Sequence, residues 1–343
     1  MVQKRVLFVT NSLSGGGAER SINILANELH RKGFGVGIVA INSSGPDLIH
    51  LKCDLFKLNR PYQSDLVQTI LAWIKFQILI LKVRPHILVL NCELPELFGA
   101  LIVFKQRIIC VQHIGYENIW RNRRKIGLLV RLLLIMRKVE WVKVSQHIQI
   151  WPQNKRPQSI IKNSIFVAEN SLPLFSGKVK RLVFIGRLTD QKDPLLIIEL
   201  ANICKLPLLM MGSGALSNQI LLEGDKRHVD LTLLDYMPNP WSLFENGDLL
   251  IVPSKHEGDG LVVIEALKQK IPILVSEIEA FKVFNLPKMN YSISLNDFRA
   301  KIEMNINFLE RFVVHHSHID SMIEERQVQN IANQWAGLID IEH

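Results

Sequence analysis

Cysteine is scarce in this chain, and its distribution excludes two classes of small protein. The 343 residues include four cysteines, and no two of them have the spacing of paired metal ligands. A zinc module and a disulfide scaffold are therefore excluded, and we expect reduced, mostly buried thiols of a cytoplasmic protein. The first nine residues enter a predicted strand at once and lack the layout of a signal peptide, which favours the same compartment. The cysteines are Cys53, Cys92, Cys110 and Cys204.

Nucleic-acid motifs are also missing. The sequence contains no zinc knuckle or RNA-binding signature, although it carries 41 Lys and Arg against 32 Asp and Glu, a formal net charge of +9. A basic surplus of this kind indicates anionic partners. Without a nucleic-acid motif, nucleotide diphosphates and acidic lipids are favoured, and we expect no nucleic-acid partner.

The chain is long enough for two domains, and short apolar runs alternate with helical stretches as they do in α/β proteins. A polar stretch from about 153 to 180, which contains two prolines and a glycine, predicts a linker between the domains. Predicted strands cover 5–10, 35–41, 87–90, 108–112, 141–144, 182–185, 207–211, 231–234, 248–254 (ending in a loop) and 273–275. Predicted helices cover 18–32, 66–83, 96–104, 125–140, 194–203 and 320–339.

The segment from His256 to Ala266 places a Gly-rich turn and an apparent helix start directly after a buried strand. The unpaired backbone N–H groups and the helix dipole both favour a phosphate at such a point. Glu257 lies at the rim of the turn, and Glu265 lies about two helical turns further on, near the same face. Because a phosphate repels a carboxylate, both glutamates must serve another group, and paired sugar hydroxyls are the obvious candidates.

These two glutamates resemble the E-x7-E motif of retaining glycosyltransferases with the GT-B fold, above all those of family 4. The resemblance extends over nearly the whole chain. It implies an α/β architecture of two Rossmann-like domains whose parallel sheets face a central cleft that holds the active site. Residues 1–163 would then form the acceptor-binding domain, and residues 164–319 the domain that binds the nucleotide-sugar donor. The C-terminal helix, about 320–343, would pack back on the first domain, with Trp335 as an anchor.

A glycine-rich loop after the first strand carries the same resemblance. The segment Asn11–Arg20 opens a helix and resembles the GGxER loop of family 4 enzymes. Its Gly15, Gly16 and Gly17 are then expected to face the cleft near the donor diphosphate and the acceptor, since glycine lets a ligand approach the backbone closely. The alternative is a tight turn with no ligand.

The segment Phe184–Pro194 resembles the family's G-R-L-x-x-x-K element. It implies that Arg187 and Lys192 neutralise the donor diphosphate and stabilise charge as the sugar leaves, in place of magnesium. Cations in a loop are otherwise usually just solvated. His113, which ends a predicted strand, resembles the histidine that contacts the transferred sugar, whereas a lone histidine is more often structural. The other donor-side residues implied are Gly186, Gly212, Tyr236, Met237, Pro238, Gly258, Asp259, Gly260, Leu261 and Val262.

Two positions depart from the family pattern. Asp259 stands between the two glycines of the turn, where the family usually has an aromatic residue. A negative charge near a diphosphate is unfavourable unless it points at solvent, a cation or a sugar hydroxyl, so Asp259 is a candidate for tuning donor or acceptor choice. Lys270 replaces the usual glycine before the next strand. Both glutamates and both cations remain, so we expect activity.

Two very apolar helices bear on where the protein works. In the second, Arg124, Arg131 and Lys138 recur every seven residues among Leu, Ile, Val and Met. A basic stripe beside an apolar arc suits a helix that lies on an anionic membrane surface, and we favour that interpretation for residues 121–143. For residues 66–83 a core helix with one solvated edge is favoured. A lysine or arginine in mid-helix argues against a membrane span for both.

The sequence therefore predicts an enzyme, a glycosyltransferase of the hexosyltransferase class. It would move a sugar from a nucleotide-sugar donor, UDP favoured over GDP, to a glycan acceptor that is lipid-linked, as in O-antigen, capsule and lipopolysaccharide assembly. The resemblance implies retention of configuration without a metal or another cofactor. We expect a peripheral protein on the inner face of the plasma membrane. The alternatives are a nucleotide-sugar epimerase of the same fold and a non-catalytic sugar-nucleotide-binding subunit.

Overall fold

The computed structural model describes residues 4–13, 16–43, 51–61, 64–115, 120, 123–150, 158–165, 174–314 and 317–341. The chain divides into two compact units. Unit 1 comprises Met1–Ser164 together with Arg326–His343, and unit 2 comprises Ile165–Glu325. The final segment of the chain thus belongs to the same unit as the first.

The described strands are β1 (Arg5–Thr10), β2 (Gly35–Asn42), β3 (Asp54–Arg60), β4 (Ile87–Asn91), β5 (Arg107–Gln112), β6 (Glu140–Lys143), β7 (Gln158–Ile160), β8 (Arg181–Ile185), β9 (Leu208–Met211), β10 (Leu231–Leu234), β11 (Asp248–Val252), β12 (Ile273–Ser276) and β13 (Tyr291–Ser292). The described α-helices are α1 (Gly17–Arg31), α2 (Leu66–Val83), α3 (Glu93–Ala100), α4 (Arg124–Met136), α5 (Pro194–Cys204), α6 (Ser217–Lys226), α7 (Leu261–Lys268), α8 (Glu279–Lys282), α9 (Leu295–Asn305), α10 (Ser317–Glu325) and α11 (Val328–Asp340).

Unit 1 is built on a parallel sheet of seven strands in the order β3-β2-β1-β4-β5-β6-β7. Its central strands are apolar runs because both faces of the sheet are covered by helices. Alternate residues of β1 enter two separate cores: Val6 and Phe8 pack with α1 and α11, whereas Leu7 and Val9 pack with α2, α3 and α4. The ring of Trp335 in α11 lies edge-on to that of Phe8, with 5.9 Å between the ring centroids.

Unit 2 is built on a parallel sheet of six strands in the order β10-β9-β8-β11-β12-β13. One hydrophobic core covers both of its faces and includes buried residues of α5, α7 and α9. The strand order reverses direction between β8 and β11. In open α/β sheets, ligands bind at the carboxyl ends of strands beside such a reversal.

The surface of α2 differs from the core helix that the sequence favoured. Its inward side buries Ala72, Phe76, Gln77 and Ile80, but seven large apolar side chains of the same helix are exposed. A helix that is apolar all round satisfies any periodic core pattern, so sequence alone could not say how much of it the fold covers.

Arg131 does not lie on the membrane-facing stripe to which the sequence assigned it, and that prediction is wrong. Its side chain is fully buried on α4, where Nη2 donates to Glu96 Oε1 at 2.9 Å and to Gln112 Oε1 at 2.7 Å. A seven-residue repeat shows only that side chains share a face. In α4 the side chain of Arg131 points into the protein interior, and the helix ends at Met136, before Lys138.

Several boundaries also differ. The helix predicted over 96–104 is α3, and the single helix predicted over 320–339 is two, α10 and α11, separated at Arg326 and Gln327. The strands β3, β7 and β13 and the helices α6, α8 and α9 were not predicted. All three strands lie at a sheet edge and α6 has a largely polar surface, so the hydrophobic pattern of these four elements is weak.

Candidate active site

The carboxyl ends of β8 and β9 in unit 2 are packed backbone against backbone. A Cβ at Gly212, which has a φ of +146°, would lie 2.0 Å from the carbonyl oxygen of Gly186. A Cβ at Gly214 would lie 2.4 Å from the carbonyl oxygen of Leu188. Leu188 N donates to Ser213 O at 3.0 Å and so ties the two turns together. Glycine is therefore required here by close packing of the two turns.

Lys192 and Glu257, two site residues predicted from separate motifs, form an ion pair in the structure. Lys192 follows β8, and its Cδ lies 3.8 Å from the position of a Cβ on Gly186, so the side chain lies over the end of that strand. Its Nζ donates to Glu257 Oε1, which also accepts from Ser254 Oγ at 2.8 Å. Both charged side chains are largely buried. A cation is thus held in place at the switch point of the sheet.

The loops that carry this ion pair are joined at several other points. Gln191 Nε2 donates to His256 O at 3.0 Å, and Lys255 N donates to Gln191 O at 2.9 Å. Lys255 Nζ lies 2.7 Å from Asp190 Oδ1 and 3.5 Å from Asp193 Oδ1. The hydrogen bond that Lys255 donates to Asp190 raises the pKa of Lys255, and burial raises the pKa of Asp193. These contacts fix the positions of the Lys192 loop and the Glu257 turn relative to each other.

The helix α7 begins where the sequence placed it, directly after the glycine turn. Gly260 precedes it in the left-handed conformation, with a φ of +64°, and a Cβ there would lie 3.0 to 3.2 Å from the rings of Phe281 and Phe284. Leu261 and Val262 are the first two helical residues, whose N–H groups precede the intrahelical ladder. The N-terminus of α7 therefore presents donors beside the Lys192–Glu257 pair, as an anion site requires.

Two acidic residues of the motif are buried. Glu265 lies on the second turn of α7 and is 6% exposed. Asp259 is equally buried, so it does not point at solvent. Gly258 is buried with them.

Arg187 and the loop Tyr236–Pro238 complete the donor-side residues. Arg187 lies two residues after the end of β8 and is exposed. Tyr236 and Met237 are half-buried and Pro238 is exposed, in the loop that leaves β10. These residues lie after strands of the same sheet.

Unit 1 carries the other predicted residues at the carboxyl ends of its own strands. His113 follows β5, and its Nε2 lies 3.1 Å from Oδ1 of Asn91, the last residue of the neighbouring β4. Asn91 is itself buried, and its Nδ2 donates to Val9 O at 3.3 Å. The histidine ring is therefore oriented by the sheet. Cys92, which follows Asn91, has a φ of +77° and a ψ of −177°, a conformation that is otherwise nearly restricted to glycine.

The glycine loop is described in part. Gly16 is the N-cap of α1, and a Cβ there would overlap the carboxylate of Glu19, at 1.8 Å from Oε2. Glycine thus allows Glu19 to fold back over the start of the helix. Gly17 is exposed at the first helical position, and Gly15 lies outside the described residues.

Sequence reasoning missed Asn91 and Ser254. Each is a polar residue at or just after the end of a fully buried apolar strand, and that position is the signal that could have identified it. No group of three or more His, Cys, Asp or Glu side chains among the described residues is placed to hold a metal ion.

A family model for glycosyl transferases group 1 matches residues 171–289. The matched stretch contains Lys192, Glu257 and Glu265 and lies within unit 2. This is a glycosyltransferase domain. The matched stretch also contains Gly186, Arg187 and the turn before α7.

The chain is also similar to individual proteins and solved structures. The chain is 31% identical over 99 residues to the O-antigen biosynthesis glycosyltransferase WclY of Escherichia coli, and the aligned stretch covers 28% of each chain. Among solved structures, sucrose-phosphate synthase from Thermosynechococcus elongatus matches with a TM-score of 0.75 and 16% identity over 98% of each chain. HepE from Anabaena in complex with UDP-glucose matches with a TM-score of 0.73 and 14% identity over 98% of this chain and 99% of that one. The predicted fold, α/β with two parallel sheets of the GT-B type, is confirmed.

Proposed function

We propose that this glycosyltransferase moves a sugar from a nucleotide-sugar donor to a glycan acceptor, with retention of configuration and without a metal ion. UDP is favoured over GDP as the nucleotide. The observation that carries the proposal is the Lys192–Glu257 pair beside the N-terminus of α7, at the switch point of the sheet in unit 2. The UDP-glucose complex of HepE supports a UDP-sugar donor.

In the proposed complex, the donor diphosphate binds against the first N–H groups of α7. Lys192 is held over the end of β8 by Glu257, and Arg187 is exposed after the same strand. Two cations and a helix N-terminus together favour the charge that develops on the diphosphate as the sugar leaves, which is the part magnesium would otherwise take.

The carboxylates then bind hydroxyls. Glu265 is proposed to hold the nucleotide ribose and Glu257 the donor sugar. His113, with its ring oriented by Asn91, and the Gly15–Gly17 loop are proposed to shape the sugar and acceptor side. Asp259, which is buried, is proposed to face a cation or a sugar hydroxyl.

The proposed chemical step is a substitution on one face of the sugar. The acceptor oxygen bonds to the anomeric carbon on the side from which the diphosphate departs, and the bond from that carbon to the phosphate oxygen breaks. The acceptor proton passes to the departing phosphate oxygen, so no enzymic nucleophile is needed. Retention follows because the new bond forms on the face of the old one.

The acceptor is proposed to be a lipid-linked glycan of surface-polysaccharide assembly, such as O-antigen, capsule or lipopolysaccharide. The similarity to WclY supports this assignment. Arg124 and Lys138, both exposed in unit 1, remain the proposed membrane contacts on α4 and after it. The protein would then work as a peripheral protein on the cytoplasmic side of the plasma membrane.

The test measures nucleotide release and glycoside formation by the purified chain with panels of UDP- and GDP-sugars, a lipid-linked glycan extract and EDTA. Lys192→Ala should lower turnover about 10²- to 10³-fold, because one positioned group that stabilises developing charge is lost. Lys226→Ala, an exposed lysine of the same unit, is the matched control and should leave turnover unchanged. Near-normal turnover of Lys192→Ala, or full loss of activity in EDTA, would contradict the scheme.

The same assay separates the two alternatives. An epimerase would convert the nucleotide sugar without an acceptor and release no free nucleotide. A binding subunit would show a donor-induced rise in melting temperature but form no product.

A further inference from the structure

The outward side of α2 is an apolar surface that the fold leaves uncovered. Seven apolar side chains are exposed, from 42% at Ile74 to 75% at Leu66. At 100° per residue they fall within one arc of about 140° on the helix. Lys75 and Lys82 are exposed at the edge of that arc. The exposed set is Leu66, Val67, Ile70, Leu71, Ile74, Ile78 and Leu81.

The surface continues across to α4. Val103 N donates to Gln77 Oε1 of α2 at 3.2 Å, and Arg137 Nε, just after α4, donates to Ala100 O at 2.9 Å. The segment between these anchors exposes Leu101 and Val103. The outward side of α4 exposes a further set: Ile126, Leu128, Leu129, Leu132 and Met136. We call these three exposed sets the α2–α4 face; an apolar area of this extent marks an interaction site.

The charges on this face are all of one sign. The segments 66–83, 101–106 and 124–138 contain no Asp or Glu. Their exposed cations surround the apolar side chains: Lys75, Lys82, Lys105, Arg124, Lys125, Arg137 and Lys138. An apolar surface with a basic border is complementary to an anionic lipid surface, whose headgroups attract Lys and Arg while the apolar side chains enter the acyl boundary.

The helix α2 is long and apolar enough to cross a membrane by length and composition alone. Its packing opposes that. Phe76 and Ile80 are buried in the core that α2 shares with the sheet of unit 1, and the Phe76 ring lies 5.7 Å from that of Phe98. Asp65 caps its first turn by accepting from Gln68 N at 2.7 Å. Spanning a bilayer would break these contacts, whereas lying on one breaks none.

We propose that the α2–α4 face docks the protein on an anionic membrane, with α2 as the main inserted element and both helices lying in the plane of the interface. This extends the membrane contact of the proposed function from α4 to α2. The docking proposal rests on the proposed function in one respect only: that function supplies the purpose of docking, which is access to a lipid-linked acceptor. The vesicle test below uses no sugar donor, so its failure and the failure of glycosyl transfer are distinguishable.

The experiment is flotation of the full chain with vesicles of phosphatidylcholine alone and of phosphatidylcholine with 30% phosphatidylglycerol. The wild-type chain should float with the anionic vesicles. Leu71→Glu with Ile78→Glu should reduce that binding at least tenfold, because both carboxylates would enter the interface. Leu222→Glu, at an apolar position on α6 of unit 2 that is even more exposed, is the matched control and should float like wild type. Circular dichroism melts confirm that each variant is folded.

A second pair of variants tests the charges. Lys75→Gln with Lys82→Gln should weaken binding to the anionic vesicles roughly thirtyfold, at about fivefold for each cation near the surface. Lys226→Gln should not change it. Absence of flotation by the wild-type chain, or equal binding to neutral and anionic vesicles, would overturn the proposal. So would a dimer in sedimentation equilibrium that Leu71→Glu with Ile78→Glu dissociates, since the face would then be covered by a second copy.

Discussion

Removing the Arg131 guanidinium should destabilise unit 1 strongly. Arg131 and Glu96 are both fully buried, and the Glu96 carboxylate also accepts from Gln112 Nε2 at 2.7 Å and from Trp120 Nε1 at 3.3 Å. The Arg131 Cζ lies 4.5 Å from the centre of a Trp141 ring. Arg131→Met keeps most of the volume but leaves a buried carboxylate without its cation. Loss of one partner of a buried pair costs about 3–5 kcal/mol.

The measurement is thermal unfolding of the full chain by calorimetry, with Arg124→Met as the control. Arg124 is exposed on the same helix, so its replacement should change stability by no more than about 0.5 kcal/mol. For a unit of this size, each kcal/mol lowers the melting temperature by about 2–4 °C, so Arg131→Met should lower the unit 1 transition by roughly 6–20 °C.

A double variant sharpens the test. In Arg131→Met with Glu96→Gln, no buried charge is left unpaired, and the single amide oxygen can still accept from either Gln112 or Trp120, which donate to different oxygens of the Glu96 carboxylate. The double variant should therefore recover part of the loss, with a coupling of about 2 kcal/mol. A cost below about 1 kcal/mol for Arg131→Met alone would refute the reasoning. Loss of vesicle binding without any loss of stability would do the same, because Arg131 would then act at the surface.

Two further predictions concern unit 2 and the thiols. Gly260→Ala should lower stability by about 1–2 kcal/mol in chemical denaturation, because its left-handed backbone and the close Phe281 ring both oppose a Cβ. The control is Gly337→Ala in α11, where a Cβ has open space and the change should be neutral or stabilising. Equal effects of the two substitutions on stability would contradict this explanation. Burial raises the pKa of Cys53 and of Cys204 to about 11, so roughly one thiol in a thousand is ionised at pH 8. Iodoacetamide should therefore alkylate both cysteines slowly in the native chain and rapidly in urea, as measured by peptide mapping.

The donor side of the candidate site was accessible from the sequence because its signals are local. The apolar run of β11, the glycines around Asp259 and the start of α7 lie within one short segment, and each has its own physical signature. The contact between Lys192 and Glu257 was not accessible. The two residues lie 65 positions apart, and only the pairing of β8 with β11 brings their loops together.

The misjudged helices show what periodicity leaves open. Residues 66–83 were taken as mainly core and Arg131 as surface, whereas the structure exposes most of the leucines and isoleucines and buries the arginine. A sequence pattern defines faces of a helix but not which face meets the sheet. That choice depends on partners distant in sequence, here Glu96 and Gln112 for Arg131.

Unit 1 is discontinuous, and this has a consequence during synthesis. Phe8 on β1 is covered by Trp335 on α11, so part of this hydrophobic core stays open until α11 has left the ribosome. Unit 2 is one unbroken stretch and takes roughly 10–30 s to translate at about 5–20 residues per second. Unit 2 is therefore completely synthesised before unit 1. In that interval the sheet of unit 1, not yet covered by α11, is exposed to chaperones.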